Sequence, residues 1–306
     1  MTAAGRDRAA RLPDRAGSDG LPLLRGRDLL RLVEPELGCR PLLLVSDFDG
    51  TLSRIVMDPW GAQILPVARA ALRRLTRVPG VHVAFLSGRT ATDLASRVRV
   101  GGALYVGNHG LERGALARGA RSETILVAED PALAVYVADA KRLAREVPRR
   151  VAEPWLIVER KGPAVAFHFR AAPDVAAARG RVLEAAARLD PGRRLVAIPG
   201  RRIVEMRPPG APAKGDALRG LVRDVRPAMT WVLGDDDSDA AAFRALRELR
   251  EQGLTGGLSV AVHAHPEMPE AVAASADVAL AAPEETARFL SRVARLLCAA
   301  GAPRGS

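Results

Sequence analysis

Two aspartates separated by a single residue follow an apolar run near the start of the chain. Asp47 and Asp49 come directly after Leu42–Ser46, and Gly50 and Thr51 continue the segment. Two carboxylates this close repel each other unless a cation neutralises them. An aspartate in such a setting can also attack phosphorus and form an aspartyl-phosphate. The spacing therefore predicts phosphoryl chemistry, with Asp47 as the nucleophile and Asp49 as the general acid and base.

A second acidic cluster follows a later apolar run at 229–233. Its members share one short stretch of chain and are Asp235, Asp236, Asp237 and Asp239. Their spacing lacks the EF-hand pattern and its closing glutamate, but carboxylate oxygens are the ligands that Mg²⁺ prefers. One alternative is that these acids only cap the helix that follows. The metal interpretation predicts a Mg²⁺ site with four ligands: Asp47, Asp49 through its backbone carbonyl, Asp235 and Asp236.

A serine turn and a lysine supply two more candidate groups. Ser87 follows an apolar run at 81–86 and offers a hydroxyl to a phosphoryl oxygen, although Ser-Gly is also a routine loop dipeptide. The chain almost always uses arginine, and its lysines are Lys141, Lys161 and Lys214. Lys214 precedes a predicted helix, where the macrodipole disfavours a cation. We therefore expect Lys214 to neutralise the nucleophile and the transferring phosphoryl group.

The elements that position these residues alternate between strands and helices. Strands are predicted at 42–46, 81–86, 103–106, 229–233, 258–262 and 278–280, with helices at 68–77, 92–98, 216–225, 240–249 and 284–297. This alternation predicts an α/β fold with a Rossmann-like parallel sheet. Ligands of such sheets bind outside the carboxyl ends of the strands, so the chemical groups are expected to converge there.

The middle of the chain has a different pattern. Two strand pairs are predicted, at 155–159 with 164–169 and at 194–198 with 202–206, on either side of a helix at 173–189, and another helix is predicted at 131–146. This is an α+β pattern. We predict a disordered arm at 1–25, a Rossmann-like catalytic core at 26–115 and 204–306, and an inserted α+β cap at 116–203 that sets substrate specificity.

Composition bounds the possible partners. The net charge is +11, but the arginines are spread along the chain and aromatic residues make up only 4%, which argues against a nucleic-acid partner. No apolar stretch is long enough to span a bilayer, and the N-terminus lacks the features of a secretory signal. The chain has two cysteines, Cys39 and Cys298, which lie near opposite ends of the sequence and do not make a disulfide framework. We expect a cytoplasmic protein without a membrane partner, as a monomer or weak dimer.

The order of these motifs resembles the haloacid dehalogenase-type phosphotransferases, whose phosphatase branches share the Asp-x-Asp-Gly-Thr-Leu opening. Further matches resemble the trehalose-6-phosphate phosphatases more narrowly. They are Gly107-Asn108-His109-Gly110, Glu112, Glu159, Lys161, His168, Arg170, Glu205, Arg207 and Lys214-Gly215. The chain also departs from the pattern of that family: Ser238 stands where the family usually has a threonine, and Ala240 and Ala241 stand where it usually has acidic residues. These departures leave the predicted catalytic residues in place.

The resemblance implies a Mg²⁺-dependent phosphatase that converts trehalose 6-phosphate to trehalose and phosphate. It implies catalytic roles for Asp47, Asp49, Ser87 and Lys214, and substrate contacts from Thr51, Gly88, Arg89, His109, Glu112, Glu159, Lys161, His168, Arg170 and Glu205. The resemblance implies that the cap residues Glu159, Lys161, His168 and Arg170 face the disaccharide, whose hydroxyls need paired donors and acceptors. The alternatives are a capped phosphatase for sucrose 6-phosphate or for mannosyl- or glucosyl-phosphoglycerate, and a catalytically silent sugar-phosphate sensor.

Overall fold

The computed structural model describes residues 20–56, 58–128, 130–264 and 268–300. The strands, in chain order, are β1 (Leu23–Leu24), β2 (Leu42–Ser46), β3 (Val81–Leu86), β4 (Ala103–Gly107), β5 (Glu112–Leu116), β6 (Leu126–Ala128), β7 (Ile157–Lys161), β8 (Ala164–His168), β9 (Val196–Pro199), β10 (Ile203–Arg207), β11 (Met229–Gly234), β12 (Gly256–Val262) and β13 (Val278–Leu280). The helices are α1 (Gly26–Val33), α2 (Pro66–Leu75), α3 (Ala91–Val98), α4 (Ala134–Val151), α5 (Val175–Leu189), α6 (Lys214–Val225), α7 (Asp237–Glu251), α8 (Glu270–Ser275) and α9 (Pro283–Ala300).

The chain divides into two units. The core unit runs to Ala128 and resumes at Pro212, and the inserted unit is Glu129–Ala211. In the part of the core unit that the structure describes, nine strands form one sheet in the order β1-β13-β12-β11-β2-β3-β4-β5-β6. The pairs from β1 to β4 are parallel, and only the edge pairs β4–β5 and β5–β6 are antiparallel. This confirms the predicted α/β fold with a mostly parallel sheet.

The central strand β2 is buried on both faces, which explains its unbroken apolar sequence. Leu42 and Leu44 belong to one hydrophobic cluster, which includes apolar residues of α1, α2, α3 and α9. Leu43 and Val45 belong to a second cluster with apolar residues of α6, α7 and α8. Helices therefore cover both faces of the strand, and its carboxyl end is left to carry polar residues.

The inserted unit is an antiparallel sheet of four strands in the order β7-β8-β10-β9. Val165 and Phe167 of β8 and Val204 and Met206 of β10 pack into one hydrophobic cluster with residues of α4 and α5. Since side chains alternate between the faces of a strand, the intervening residues of these strands project from the opposite face. That face carries Glu159, Lys161, His168 and Glu205.

The limits of the units differ from the predicted 116 and 203. Strand β6 lies in the segment expected to open the cap, yet it pairs with β5 and extends the core sheet. Strand β10 lies in the expected core segment from 204, yet it pairs with β8 and β9 of the inserted sheet. The β9–β10 pairing is the one that the sequence predicts for 194–198 with 202–206, so the predicted limit at 203 divides a strand pair that belongs together. The pairing of β6 with β5, in contrast, is not encoded in the local sequence pattern.

The N-terminal prediction also needs correction where the structure describes it. Leu23 and Leu24 were placed in a disordered arm, but they form β1 and pair with Ala279 and Leu280 of β13. Residues 1–19 of the predicted arm lie outside the described residues. Among the described helices, none is both long enough and apolar enough to cross a membrane.

Candidate active site

The predicted chemical groups meet at the carboxyl ends of three neighbouring strands. Asp47 follows β2, Ser87 follows β3 and Asp235 follows β11, and these strands are adjacent in the order β11-β2-β3. The backbone N–H of Asp47 donates to the carbonyl of Leu233 over 2.9 Å. This bond extends the β2–β11 pairing by one residue and holds the two acidic segments side by side.

Lys214 is the first residue of α6 and its side chain is only 1% exposed. Its Nζ lies 2.8 Å from Oδ1 of Asp47 and 2.8 Å from Oδ1 of Asp239, with Asp236 at 3.9 Å. Burial by itself would lower the pKa of Lys214, but the attraction of Asp239, Asp47 and Asp236 outweighs it and raises the pKa well above its usual value. The lysine is therefore a fixed positive charge beside Asp47.

Asp47, Asp235 and Asp239 form a group that we call the acidic triad. Each offers one oxygen within 4.8 Å of the others, and all three are buried. Burial raises the pKa of Asp47 to about 6. The negative charges of Asp236 and Asp49 also raise this pKa, whereas the positive charge of Lys214 lowers it. Burial, together with repulsion from neighbouring carboxylates, raises the pKa values of Asp235 and Asp239 well above the usual range.

The acidic triad fits a hard divalent cation. Three buried carboxylates face the single positive charge of Lys214, so the group carries an excess of negative charge when all three are ionised. Mg²⁺ and similar ions bind such carboxylate oxygens and neutralise them. The chemistry of the donor set therefore matches the ion that the sequence predicts.

Two glycines allow the carboxylates to approach this closely. Gly50 has φ +76°, and a Cβ added there would lie 2.2 Å from Oδ2 of Asp235. A Cβ on Gly234 would lie 2.2 Å from Cγ of Asp239. Any larger residue at either position would displace a member of the acidic triad.

Asp239 belongs to the candidate site, although sequence reasoning did not assign it a role. Its Oδ2 accepts hydrogen bonds from the backbone N–H groups of Asp235 and Asp236, while its Oδ1 accepts from Lys214. Asp239 thus connects the lysine to the loop that carries Asp235. The available signal was its position, four residues after Asp235 and in the first turn of α7, on the side that faces Lys214.

Asp236 was predicted to bind the metal, but its carboxylate lies outside the acidic triad. It is the N-cap of α7, where Oδ1 accepts from the backbone N–H groups of Ser238 and Asp239. The Asp236 side chain is 53% exposed. The helix-capping alternative therefore describes Asp236, whereas Asp235 is buried in the triad.

Asp49 has a different partner from the other carboxylates. Its two oxygens accept from Nε and Nη2 of Arg89, over 2.6 and 2.8 Å. The family resemblance implies that Arg89 contacts the substrate, which stays a prediction, and the structure pairs its guanidinium with Asp49, the predicted acid and base. The same guanidinium donates to Asp93 from Nη1.

The other predicted residues of the core unit surround this edge of the sheet. The Ser87 Oγ accepts from the Arg89 backbone N–H, and the Ser87 carbonyl accepts from the His109 N–H. The His109 ring lies directly over Gly88, since a Cβ there would come within 2.7 Å of Nε2. Thr51 donates to Asp235, which anchors that carboxylate. Glu112 accepts from the Ala91 N–H and thus caps α3.

The predicted cap residues form a buried polar cluster within the inserted unit. Lys161 contacts Glu205, and its Nζ lies 3.6 Å from Oε2 of Glu159. The same Glu159 oxygen lies 2.9 Å from Nε2 of His168. Burial would lower the pKa of Lys161, but Glu205 and Glu159 raise it above its usual value. Arg170 lies beyond the end of β8, where its carbonyl accepts from Arg202.

The fold and the site together define a capped α/β protein of the haloacid dehalogenase-like class. Solved structures share the fold. The C-terminal domain of trehalose-6-phosphate phosphatase from C. albicans superposes with a TM-score of 0.71 at 20% identity, over 91% of this chain and 99% of that one. A trehalose-6-phosphate phosphatase from Aspergillus fumigatus gives a TM-score of 0.58 at 24% identity, over 90% and 100% of the two chains.

Sequence comparison identifies the family. The model of the trehalose-phosphatase family matches residues 45–281, so the chain belongs to that family. A trehalose-phosphate phosphatase of Mycobacterium avium is 38% identical over 257 residues, which are 81% of this chain. One of Mycobacterium tuberculosis H37Rv is 33% identical over 261 residues, or 82% of this chain. The chain spans 61% of the length of these curated relatives.

Proposed function

We propose that this protein hydrolyses trehalose 6-phosphate to trehalose and phosphate through an aspartyl-phosphate on Asp47. The observation that carries the proposal is the buried contact of Lys214 with Asp47, beside Asp235 at the end of the neighbouring strand. A nucleophilic carboxylate with a fixed cation next to it suits attack on a phosphate that is itself negatively charged. The family of the chain supports the sugar phosphate as substrate.

In the first step, an oxygen of Asp47 attacks phosphorus and the bond from phosphorus to the sugar oxygen breaks. In its protonated form, with one oxygen released from Arg89, Asp49 gives its proton to the departing sugar oxygen and becomes the carboxylate that pairs with Arg89 in this structure. Lys214 neutralises charge on Asp47 and on the phosphoryl group as they approach. Asp239 keeps the lysine in place, since Nζ contacts both carboxylates.

In the second step, water attacks the phosphorus of the aspartyl-phosphate and the bond to Asp47 breaks. Asp49 takes the proton from that water, which restores its starting state and releases phosphate. Asp47 and Asp235 would hold Mg²⁺, with a further ligand from the Asp49 backbone carbonyl. When bound, the ion supplies neutralisation of the carboxylates and of the phosphoryl oxygens.

The inserted unit is proposed to select the sugar. Glu159, Lys161, His168 and Glu205 present both donors and acceptors within one buried polar cluster. Such a group pairs with sugar hydroxyls and rejects ligands that leave its members unpaired. Sucrose 6-phosphate and glucosyl- or mannosyl-phosphoglycerate present different hydroxyl patterns to the same cluster.

A phosphate-release panel tests the proposal. Purified protein with Mg²⁺ is given trehalose 6-phosphate, sucrose 6-phosphate and glucosyl-phosphoglycerate, with the Asp47→Asn variant as control. The expected result is the highest kcat/KM for trehalose 6-phosphate and no turnover by the variant. A higher kcat/KM for another substrate would change the assigned sugar. Tight binding of trehalose 6-phosphate without phosphate release would favour the sensor alternative.

A further inference from the structure

Four charged side chains of alternating sign extend from Asp49 into the core unit: Asp49, Arg89, Asp93 and Arg97. Asp49 pairs with Arg89 through two hydrogen bonds. Arg89 Nη1 lies 2.9 Å from Oδ2 of Asp93, and Arg97 Nε lies 2.7 Å from the same oxygen. Nη1 of Arg97 then donates to the carbonyls of Trp60 and Ala62, each over 2.9 Å. The series thus ends on the backbone.

These contacts hold the Arg89 guanidinium both on the side that faces Asp49 and on the side that faces Asp93. Nε and Nη2 point at Asp49, and Nη1 points at Asp93. Its central carbon lies 5.4 Å from the centre of the Phe48 ring, so the aromatic face packs beside it. A planar guanidinium with its donors used on two sides cannot tilt without losing a hydrogen bond.

Among the residues that the structure describes, Arg89 supplies both side-chain hydrogen bonds that the Asp49 carboxylate accepts. Its side chain is 37% exposed, whereas the side chain of Arg89 is 9% exposed. It lies in the turn after β2 rather than in the strand. The orientation of its two oxygens is therefore determined largely by the buried guanidinium, and that guanidinium is held in turn from α3.

We propose that Asp93 and Arg97 are positioning residues, which act through Arg89 to hold the carboxylate of Asp49 in place for its two proton transfers. The inference rests on the proposed function, because it assigns Asp49 the acid and base roles. Neither Asp93 nor Arg97 touches the acidic triad or Lys214 in the contacts described above. Their effect on the reaction is expected to pass entirely through Asp49.

A simpler interpretation is that Asp93 and Arg97 form an ordinary helical pair. They are four residues apart on α3, and such pairs stabilise helices modestly. However, Arg97 is buried and Asp93 is half-buried, and one oxygen of Asp93 accepts from both Arg97 and Arg89. Burial would raise the pKa of Asp93, but the hydrogen bonds from Arg97 and Arg89 lower it below its usual value, which keeps this carboxylate ionised.

A double-mutant cycle separates the two interpretations. Asp93→Asn is made in the wild-type protein and in the Asp49→Asn variant, and single-turnover hydrolysis of trehalose 6-phosphate is followed. Displacing a catalytic group by about 1 Å costs up to about 100-fold in rate. We expect Asp93→Asn to lower the rate roughly 10- to 100-fold with KM changed less than about threefold, and to have no further effect when Asp49 is already Asn.

A second readout depends on the leaving group. A sugar oxygen needs a proton to depart, whereas 4-nitrophenolate does not, so only the sugar phosphate requires Asp49 as an acid in the first step. Asp93→Asn is expected to slow phosphorylation of Asp47 by trehalose 6-phosphate far more than by 4-nitrophenyl phosphate. The amplitude of the 4-nitrophenolate burst also gives the concentration of folded, active protein. Rates divided by that concentration are corrected for any loss of stability in the variant.

The controls distinguish this inference from the proposed function. Arg97→Lys keeps the positive charge, but a lysine cannot donate to Asp93 and to both backbone carbonyls at once. We expect it to lower the hydrolysis rate in the same way as Asp93→Asn, but by a smaller factor. Glu184→Gln removes an exposed pair with Arg188, four residues apart on α5, and is expected to change nothing. Equal losses from Asp93→Asn with and without Asp49 would overturn the positioning role. A wild-type protein that hydrolyses no phosphate ester would instead overturn the proposed function.

Discussion

Replacement of Lys214 by methionine is expected to destabilise the core unit more than almost any other single change. Lys214 contacts Asp47 and Asp239 over 2.8 Å each. At an effective dielectric constant of about 20, each contact corresponds to a gross attraction of roughly 6 kcal/mol. Desolvation offsets most of this, and removal of one partner from a buried ion pair costs about 3–5 kcal/mol in practice. Lys214→Met should therefore lower the free energy of unfolding by that amount.

The assay is urea unfolding in the presence of EDTA, which removes any stabilisation by bound cations. Arg219→Met, on the same helix, is the matched control. Arg219 pairs with Asp216 and Glu248 at the surface, where such pairs contribute about 0–1 kcal/mol. The double variant Lys214→Met with Asp239→Asn should recover part of the loss, because one buried carboxylate loses its charge.

A small effect would refute this reasoning. If Lys214→Met costs no more than Arg219→Met, the contacts with the acidic triad contribute little and the electrostatic account of the site is wrong. If the double variant is less stable than Lys214→Met alone, Asp239 stabilises the site by some means other than its pairing with the lysine.

Three further predictions concern the same unit. Gly50→Ala should lower kcat about 100-fold in phosphate-release assays, because the new Cβ displaces Asp235; unchanged kcat would contradict the close approach. EDTA should abolish phosphate release and Mg²⁺ should restore it, whereas full activity in excess EDTA would remove the metal role. Burial raises the pKa of Glu36, which accepts from the Trp231 indole over 2.7 Å. Its contribution to stability is therefore present below about pH 4.5 and is lost as pH rises through the higher folded-state pKa. Glu36→Gln should remove that loss and raise the urea midpoint at pH 7 relative to wild type; an unchanged pH dependence would contradict it.

The sequence predicts the class of fold because its signals are local. A fully buried strand such as β2 has an unbroken apolar sequence, and the acidic turn after it is visible without a structure. The convergence of Asp47, Lys214 and Asp235 follows from a general rule of parallel sheets. These parts of the site needed no knowledge of side-chain contacts.

The partners of individual charged groups were less predictable. Asp236 and Asp239 are both aspartates near the same helix start, and only the structure distinguishes the cap from the residue that contacts Lys214. The family resemblance points Arg89 toward the substrate, and its pairing with Asp49, 40 residues earlier in the chain, leaves no local signal in the sequence. The unit of β6 was missed for the same reason, since it depends on its pairing with β5, whereas the β9–β10 pair was predicted and only the limit drawn at 203 was wrong.

The central claim is that Asp47 receives the phosphoryl group, and trapping that group tests it most directly. The Asp49→Asn variant is mixed with 4-nitrophenyl phosphate and Mg²⁺, quenched in acid and digested, and the phosphorylated peptide is located by mass spectrometry. The account predicts one phosphoryl group on Asp47, which accumulates because the base that activates water is missing. A phosphoryl group on another residue, or near-normal turnover by a folded Asp47→Asn variant, would contradict it.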